Sequence, residues 1–436
     1  MPVLIVLALI ALAAGPLARR EVDAELSLGQ VDSGFIPDSF RVSPDQRSVT
    51  WVSRVTGGQV RVAVNGRYGP LYDDVAVGTP IFSPDSRQVA YLARRGESWH
   101  MVTGGREGPP LPGFLEQSLA FSADGNSLVV GVQVHEHWWM PMVERDGGPL
   151  LPLTPASLSG PVEPLEDLFD RIATPLLLGA DGAPFFAARA GHRWVVVRGG
   201  ERSEGWDGVE ATFLSPAGDR VAYVAREGEE RFAVVEGVRS QAWDEVDSDL
   251  ARFSPQGRFV YPALGRGGWW VVVDGVPVGP WEAIGSDLVF SPDGAHVAWT
   301  ARNEDRWRVV VDGAREELTD EPVPGSLTLS PGGERAAWAA QVEGGVRVVV
   351  DGEAGPLWDE LRTGLSFSPD GAHLAWGVRA GDRQLVVVDQ QAGPPSSSLL
   401  TLGGASLSWL SARRLAYMVL RGDRLIRVEE ELCSGE

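Results

Sequence analysis

The sequence predicts an all-β protein, a β-propeller of about ten four-stranded units. Three observations predict it. A motif returns with a period near 38 residues along almost the whole chain, and self-similarity at such a period marks a repeat architecture. The copies carry two turn signals, one of the Ser-Pro-Asp-Gly type and one of the Asp-Gly or Asn-Gly type, which are turns of antiparallel strands. The segments between the turns are short and rich in Val, Trp and Tyr, as strands are.

With the Pro of the first turn as register, the units are anchored at Pro44, Pro84, Ala123, Ala180, Pro216, Pro255, Pro292, Pro331 and Pro369, and a degenerate tenth centres on Trp409. The successive gaps are 40, 39, 57, 36, 39, 37, 39, 38 and 40 residues. The long gap contains residues 151–176, which lack the pattern.

Each element of a unit has a local cause. In Ser291-Pro292-Asp293-Gly294, Pro presets φ and Asp-Gly supplies the positive-φ corner. Residues 296–301 (HVAWTA) follow as a strand, and residues 307–311 (WRVVV) as the next. The Val run suits a strand covered on both faces by neighbouring sheets. It ends at Asp312-Gly313, a strong short hairpin signal. A segment such as Gly355-Pro356-Leu357-Trp358-Asp359-Glu360 comes next, and the strand entering the following turn completes four. One such sheet cannot bury its own faces, so neighbours must stack. The coils of a parallel β-helix, the alternative, are shorter and need no hairpins.

Two rings split at the insertion would leave three units before the break, too few to close. One continuous array is therefore expected, with residues 151–176 as a decoration on one face. Within it, residues 162–172 (VEPLEDLFDRI) suit a short helix, since Leu165, Leu168 and Phe169 share a face. The last unit has strand patterns at 414–420 and 424–430 but no Gly-Pro-aromatic strand. Residues 22–37 are expected to supply it and close the ring. The expected organisation is 1–18 as a signal peptide or short anchor, 19–40 as an N-terminal segment, 41–430 as the propeller and 431–436 as a polar tail.

The chain holds 436 residues with 44% hydrophobic and 22% charged side chains, the balance of a folded globular protein. Net charge is −21, all 38 basic residues are Arg, and no basic block exists. That removes the electrostatic case for nucleic acid or anionic lipid and leaves a cationic partner, a metal ion or simple solubility as the better match. The single cysteine, Cys433, excludes an intrachain disulfide or a cysteine metal cluster. The apolar run 3–14 (VLIVLALIALAA) is short for a membrane span. It suits a signal-peptide core with small residues after it, hence an exported, periplasmic or secreted protein.

The Ser-Pro-Asp-Gly turn followed by an aromatic strand resembles TolB-type (WD-repeat-like) propeller repeats over residues 41–430, outside 151–176. The resemblance implies a role in complexes at the cell envelope, with no partner named and no cofactor. Residues 122–125 (SADG), 179–182 (GADG) and 330–333 (SPGG) depart from the motif.

Aligning the copies absorbs most of the 16 tryptophans. Trp51, Trp299, Trp338 and Trp376 share one position with Tyr91, Tyr223, Tyr261 and Tyr417. Trp206, Trp243, Trp281 and Trp358 share another with Tyr72. Both sets read as packing. The pairs Trp138-Trp139 and Trp269-Trp270 differ, because neighbours in a strand face opposite sides and one of each pair is a candidate ligand contact. A second candidate set is the acidic series after the second aromatic position: Asp73-Asp74, Asp207, Asp244-Glu245, Glu282, Asp320-Glu321 and Asp359-Glu360. Equivalent positions come round a ring together, so the series forms either a solvated loop edge or a negative rim. His135 and His137 share a strand face, as a two-His metal site needs, but no third ligand is evident. His296 and His373 fill repeat positions and read as structural. No nucleophile elbow, P-loop, dinucleotide fingerprint or calcium loop occurs. The function expected is a non-catalytic scaffold that binds a protein or other ligand. The alternative is a propeller lyase or hydrolase that uses His135, His137 and the acidic series near the central channel.

Overall fold

The computed structural model describes residues 19–135, 138–145, 151–152, 169–173, 175–396 and 398–433. These residues form ten antiparallel sheets of four or five strands and no helix. Blades 1 to 9 follow in chain order at residues 35–68, 74–111, 120–152, 171–202, 208–239, 245–281, 283–319, 321–358 and 360–396. Blade 10 combines Ser408–Trp409, Arg414–Arg421 and Arg424–Cys433 with Arg19–Gln30, the first strand among the described residues.

Packing turns the ten sheets into a ring. Ten apolar clusters occur among the described residues, each joining two consecutive blades, and one of them joins blade 10 to blade 1. Trp51, Trp299, Trp338 and Trp376 are at most 1% exposed in these clusters, as their shared repeat position predicts. The valines of the third strands, such as Val309 and Val310, are buried just as deeply.

The turns hold themselves by side-chain hydrogen bonds. In Ser83-Pro84-Asp85, the buried Ser83 Oγ donates to Asp85 Oδ1 (2.6 Å) and accepts from the Gln88 amide (2.9 Å). Asp85 Oδ1 also accepts from the Arg87 amide at 3.1 Å. At the hairpin between third and outer strands, Asp351 and Gly352 adopt φ of 52° and 83°, the paired left-handed conformation of a type I′ turn. Asp351 then accepts from the Ala336 amide (3.0 Å) and from Arg335 Nε (2.9 Å), tying this turn to the second strand.

Arg19–Gln30 lies antiparallel to Arg424–Cys433 and supplies the outer strand that the last unit lacks. Phe35–Val42, partly included in the expected closing segment, forms the inner strand of blade 1 instead. The expected polar tail is likewise shorter: the third strand of blade 10 runs to Cys433, with Leu432 buried. In the expected insertion, Arg171–Ile172 pairs with Pro184–Ala190 as strand, so the expected helix does not extend there; residues 162–168 lie outside the described residues. Residues 1–18 and 434–436 lie outside them too.

No hairpin joins the closing strand to its neighbour, and side chains reinforce the backbone ladder between them. Arg20 pairs with Glu430, and their side chains are 8% and 2% exposed. Glu430 also accepts from the Tyr417 hydroxyl, and Arg20 Nη1 donates to the Val386 carbonyl in blade 9 at 2.7 Å. Arg421–Glu25 (2.9 Å) and Arg414–Asp23 add exposed pairs. Asp32, in the link to blade 1, accepts from Ser53 Oγ (2.6 Å), Arg61 Nη2 (3.1 Å) and the Gly34 amide (3.1 Å).

Two outcomes are expected. Glu430→Gln leaves the Arg20 guanidinium buried without its carboxylate and costs about 3–5 kcal/mol, seen as a lower melting temperature with faster amide exchange concentrated in residues 19–30 and 424–433. Trp299→Ala removes a fully buried side chain and costs about 3–5 kcal/mol in denaturant titration.

Candidate ligand-binding face

Strand direction gives the ring two unlike faces. The Ser-Pro-Asp-Gly and Asp-Gly turns share one face. The hairpins between second and third strands, and the links that carry the acidic series from blade to blade, share the other.

Three residues of the acidic series, Asp73, Asp207 and Asp359, have a local task, while Asp244, Glu282 and Asp320-Glu321 are exposed. Asp73 accepts from the Gly96 amide (2.6 Å), Asp207 from Gly228 (2.8 Å) and Asp359 from Gly381 (2.6 Å). Each donor lies in the hairpin turn of the next blade, so the aspartate clamps that turn to the link. The same bond runs from Gly191 to Asp170 (3.0 Å), beside the buried Phe169. Phe169-Asp170 is therefore a disguised copy of the aromatic–acidic pair, inside the stretch that reads as pattern-free in sequence. The turn amides hold the carboxyls of Asp73 and Asp207 below the usual aspartate range. Asp74 accepts from the following Val75 amide at 2.9 Å.

Arginines offset much of the series. Asp207 pairs with Arg193 at 2.5 Å. Glu360 pairs with Arg379 (2.9 Å) and Arg362 (2.8 Å), which hold its carboxyl low, Arg379 more strongly.

Blade 6 departs from this balance. Asp244 and Glu245 are exposed and, with Glu210, Asp247 and Asp249, line a concavity of about 390 Å³ in which Arg231 is the one basic lining residue. Arg231 Nε reaches Glu210 at 3.4 Å. Asp247 holds the inner strand's bend by accepting from the Asp249 (3.0 Å) and Leu250 (3.1 Å) amides. Five carboxylates thus face one guanidinium. Glu210, Asp247 and Asp249 escape sequence reasoning because they fall outside the repeated acidic position; a count of carboxylates along the inner strands would have found them.

The aromatic candidates are placed differently. Trp269 and Trp270 point to opposite sides of their strand, but both are half-buried. Trp269 packs in the core between blades 6 and 7, and Trp270 in that between blades 5 and 6. Neither stands free, because blades cover both faces of a third strand. Trp138 begins a strand paired with Ser127–His135. The side chains of His135, Trp138 and Trp139, and the whole of Glu136 and His137, lie outside the described residues. Among the described residues no cluster of His, Cys, Asp and Glu suited to a metal ion occurs. His296 and His373 bond the hairpin carboxylates of Asp312, followed by Gly313 (2.7 Å), and Asp389, followed by Gln390 (2.6 Å), where Arg258 and Arg335 stand in other blades.

No protein-family model matches the chain, and no curated protein matches it in sequence. Solved structures similar to it include three of low identity. A eukaryotic initiation factor is 12% identical, with 80% of this chain and 94% of that chain covered and a TM-score of 0.44. The Dos1 propeller is 11% identical, with 95% and 96% covered and a TM-score of 0.35. A putative TolB from Agrobacterium tumefaciens is 16% identical, with 47% and 79% covered and a TM-score of 0.28.

The His–Asp clamps make a pH prediction. The hydrogen bond to Asp312 raises the His296 pKa above 6.5. A folded-state pKa raised in this way contributes stability that is complete below the unfolded value and is lost as pH rises through the folded one. Asp312→Asn is expected to lower the His296 titration midpoint, followed by NMR, because it removes the largest cause of the rise.

Proposed function

We propose that this chain is an exported, non-catalytic propeller of the TolB type that binds a cationic partner on its acidic face, centred on blade 6. The observation that carries the reading is the concavity where Glu210, Asp244, Glu245, Asp247 and Asp249 face Arg231 alone. At Asp73, Asp207, Asp359 and Glu360 the series is occupied by turn amides and arginines; Glu282, Asp320 and Glu321 stand exposed singly or in a pair, whereas here five carboxylates share one concavity. A net charge of −21 adds long-range attraction for a basic partner and speeds its encounter. The apolar run at 3–14 supports export, and the repeat motif supports a TolB-like role at the envelope.

The test is calorimetric binding of an oligo-arginine peptide. Asp244→Asn, Glu245→Gln and Asp249→Asn together are expected to weaken binding about tenfold, from roughly 0.5 kcal/mol for each exposed charge. Added salt should weaken it further. Unchanged affinity in the triple variant overturns the site. Substrate turnover abolished by His135→Ala or His137→Ala would overturn the non-catalytic reading.

A further inference from the structure

The repeat supplies its own reference for what each position needs, and blade 10 violates it twice in one strand. The third strands of blades 6 to 9 place Val271, Val309, Val348 and Val386 opposite the residue after the aromatic position. All four are at most 2% exposed. In blade 10 that position, opposite Met418, is Arg427, and it is just as buried at 2%. Two residues on, Val273, Val311, Val350 and Val388 give way to Glu429, 7% exposed. The fold therefore does not require charge here. Burying a guanidinium and a carboxylate carries a desolvation penalty of several kcal/mol per ion, roughly, before pairing offsets it.

Pairing in this structure is incomplete. Arg427 Nη1 donates to Glu429, which also accepts Arg414 Nη2 at 2.8 Å. Arg427 Nε and Nη2, and Arg414 Nε, are buried without a hydrogen-bond partner. Nε and Nη2 form the edge of a guanidinium that grips two oxygens of a carboxylate or phosphate in parallel. Burial lowers the Arg427 pKa, and Arg47 and Arg414 lower it further while Asp45 opposes them. Three arginines thus converge in a strongly acidic protein. They meet at a cleft of about 640 Å³ in the seam between blades 10 and 1, lined by Arg47, Arg414, Arg427, Glu429 and Glu431 and walled by Leu26 of the closing strand, with Arg414 also paired to Asp23.

We propose that the seam cleft is an oxyanion site, in which Arg47 and Arg414 receive a carboxylate or phosphate group and Arg427 binds it from the base. Because Nε and Nη2 are covered in this state, the guanidinium rotates to present that edge as the anion enters. The competing account is purely structural: Arg427 and Glu429 set the register of the closing strand, as buried polar groups do in some proteins. The two accounts separate on the variant that restores the repeat, Arg427→Val with Glu429→Val. A site relinquished in exchange for ordinary packing leaves a ring at least as stable but blind to anions.

The experiment titrates the full chain with inorganic phosphate and, separately, succinate, against chloride at matched ionic strength, by calorimetry and thermal melting. The expected result is saturable binding of one anion per chain with a rise in melting temperature, since a ligand that binds only the folded state stabilises it. Phosphate and succinate distinguish the two oxyanion sources. Arg47→Gln, an exposed change that leaves the core intact, should weaken binding about tenfold. The double valine variant should melt no lower than the parent and show no saturable anion response. Failure of both anions to exceed chloride overturns the proposal. So does an unchanged response in Arg47→Gln or in the double valine variant.

Discussion

No blade can bury its own faces. A four-stranded sheet with apolar residues on both sides is stable only between two others, and each cluster of this core is shared by consecutive blades. The requirement passes from blade to blade until the last must meet the first. Everything particular about the chain's two ends follows. The final unit lacks an outer strand, Arg19–Gln30 supplies it, and the seam carries the buried Arg20–Glu430 pair where other blades rely on a covalent hairpin.

Charge is used within the same logic. The protein is acidic, yet most of its described carboxylates have short-range work. Those of the Asp-Gly and Asp-Gln turns hold the start of the second strand, and those after the aromatic position clamp the next hairpin. Arg or His completes the first kind of clamp. Part of a ring of acidic residues in sequence, at Asp73, Asp207 and Asp359, is therefore a set of turn fasteners in space. The blade 6 concavity stands out because its carboxylates exceed its fastening needs.

The fold was legible because repetition multiplies weak signals. One Ser-Pro-Asp-Gly turn is ambiguous, but nine copies in register with a buried aromatic leave one architecture. The closing strand was legible in outline from the strand the last unit lacked, though not its bounds, since the pleat at 35–42 resembles that at 22–30. Phe169-Asp170 was missed because Phe replaced Trp and the spacing was disturbed. The exposure of Trp269 or Trp270 was misjudged because alternation reports only which side a residue faces, and both sides of a third strand are covered. Arg427 and Glu429 were visible as letters. They gain meaning only when the strand is aligned with its four valine-bearing counterparts in space.

The closing strand also sets an order of events in the cell. Arg20 and Glu430 lie 410 residues apart, so strand 19–30 is synthesised long before strand 424–433 and waits for it before it can pair. Until then the chain holds an unsatisfied strand at one end and an uncovered blade face at the other, the features that invite aggregation. Ring closure is thus a test of completeness: a prematurely terminated chain cannot pass it however well its middle blades have folded.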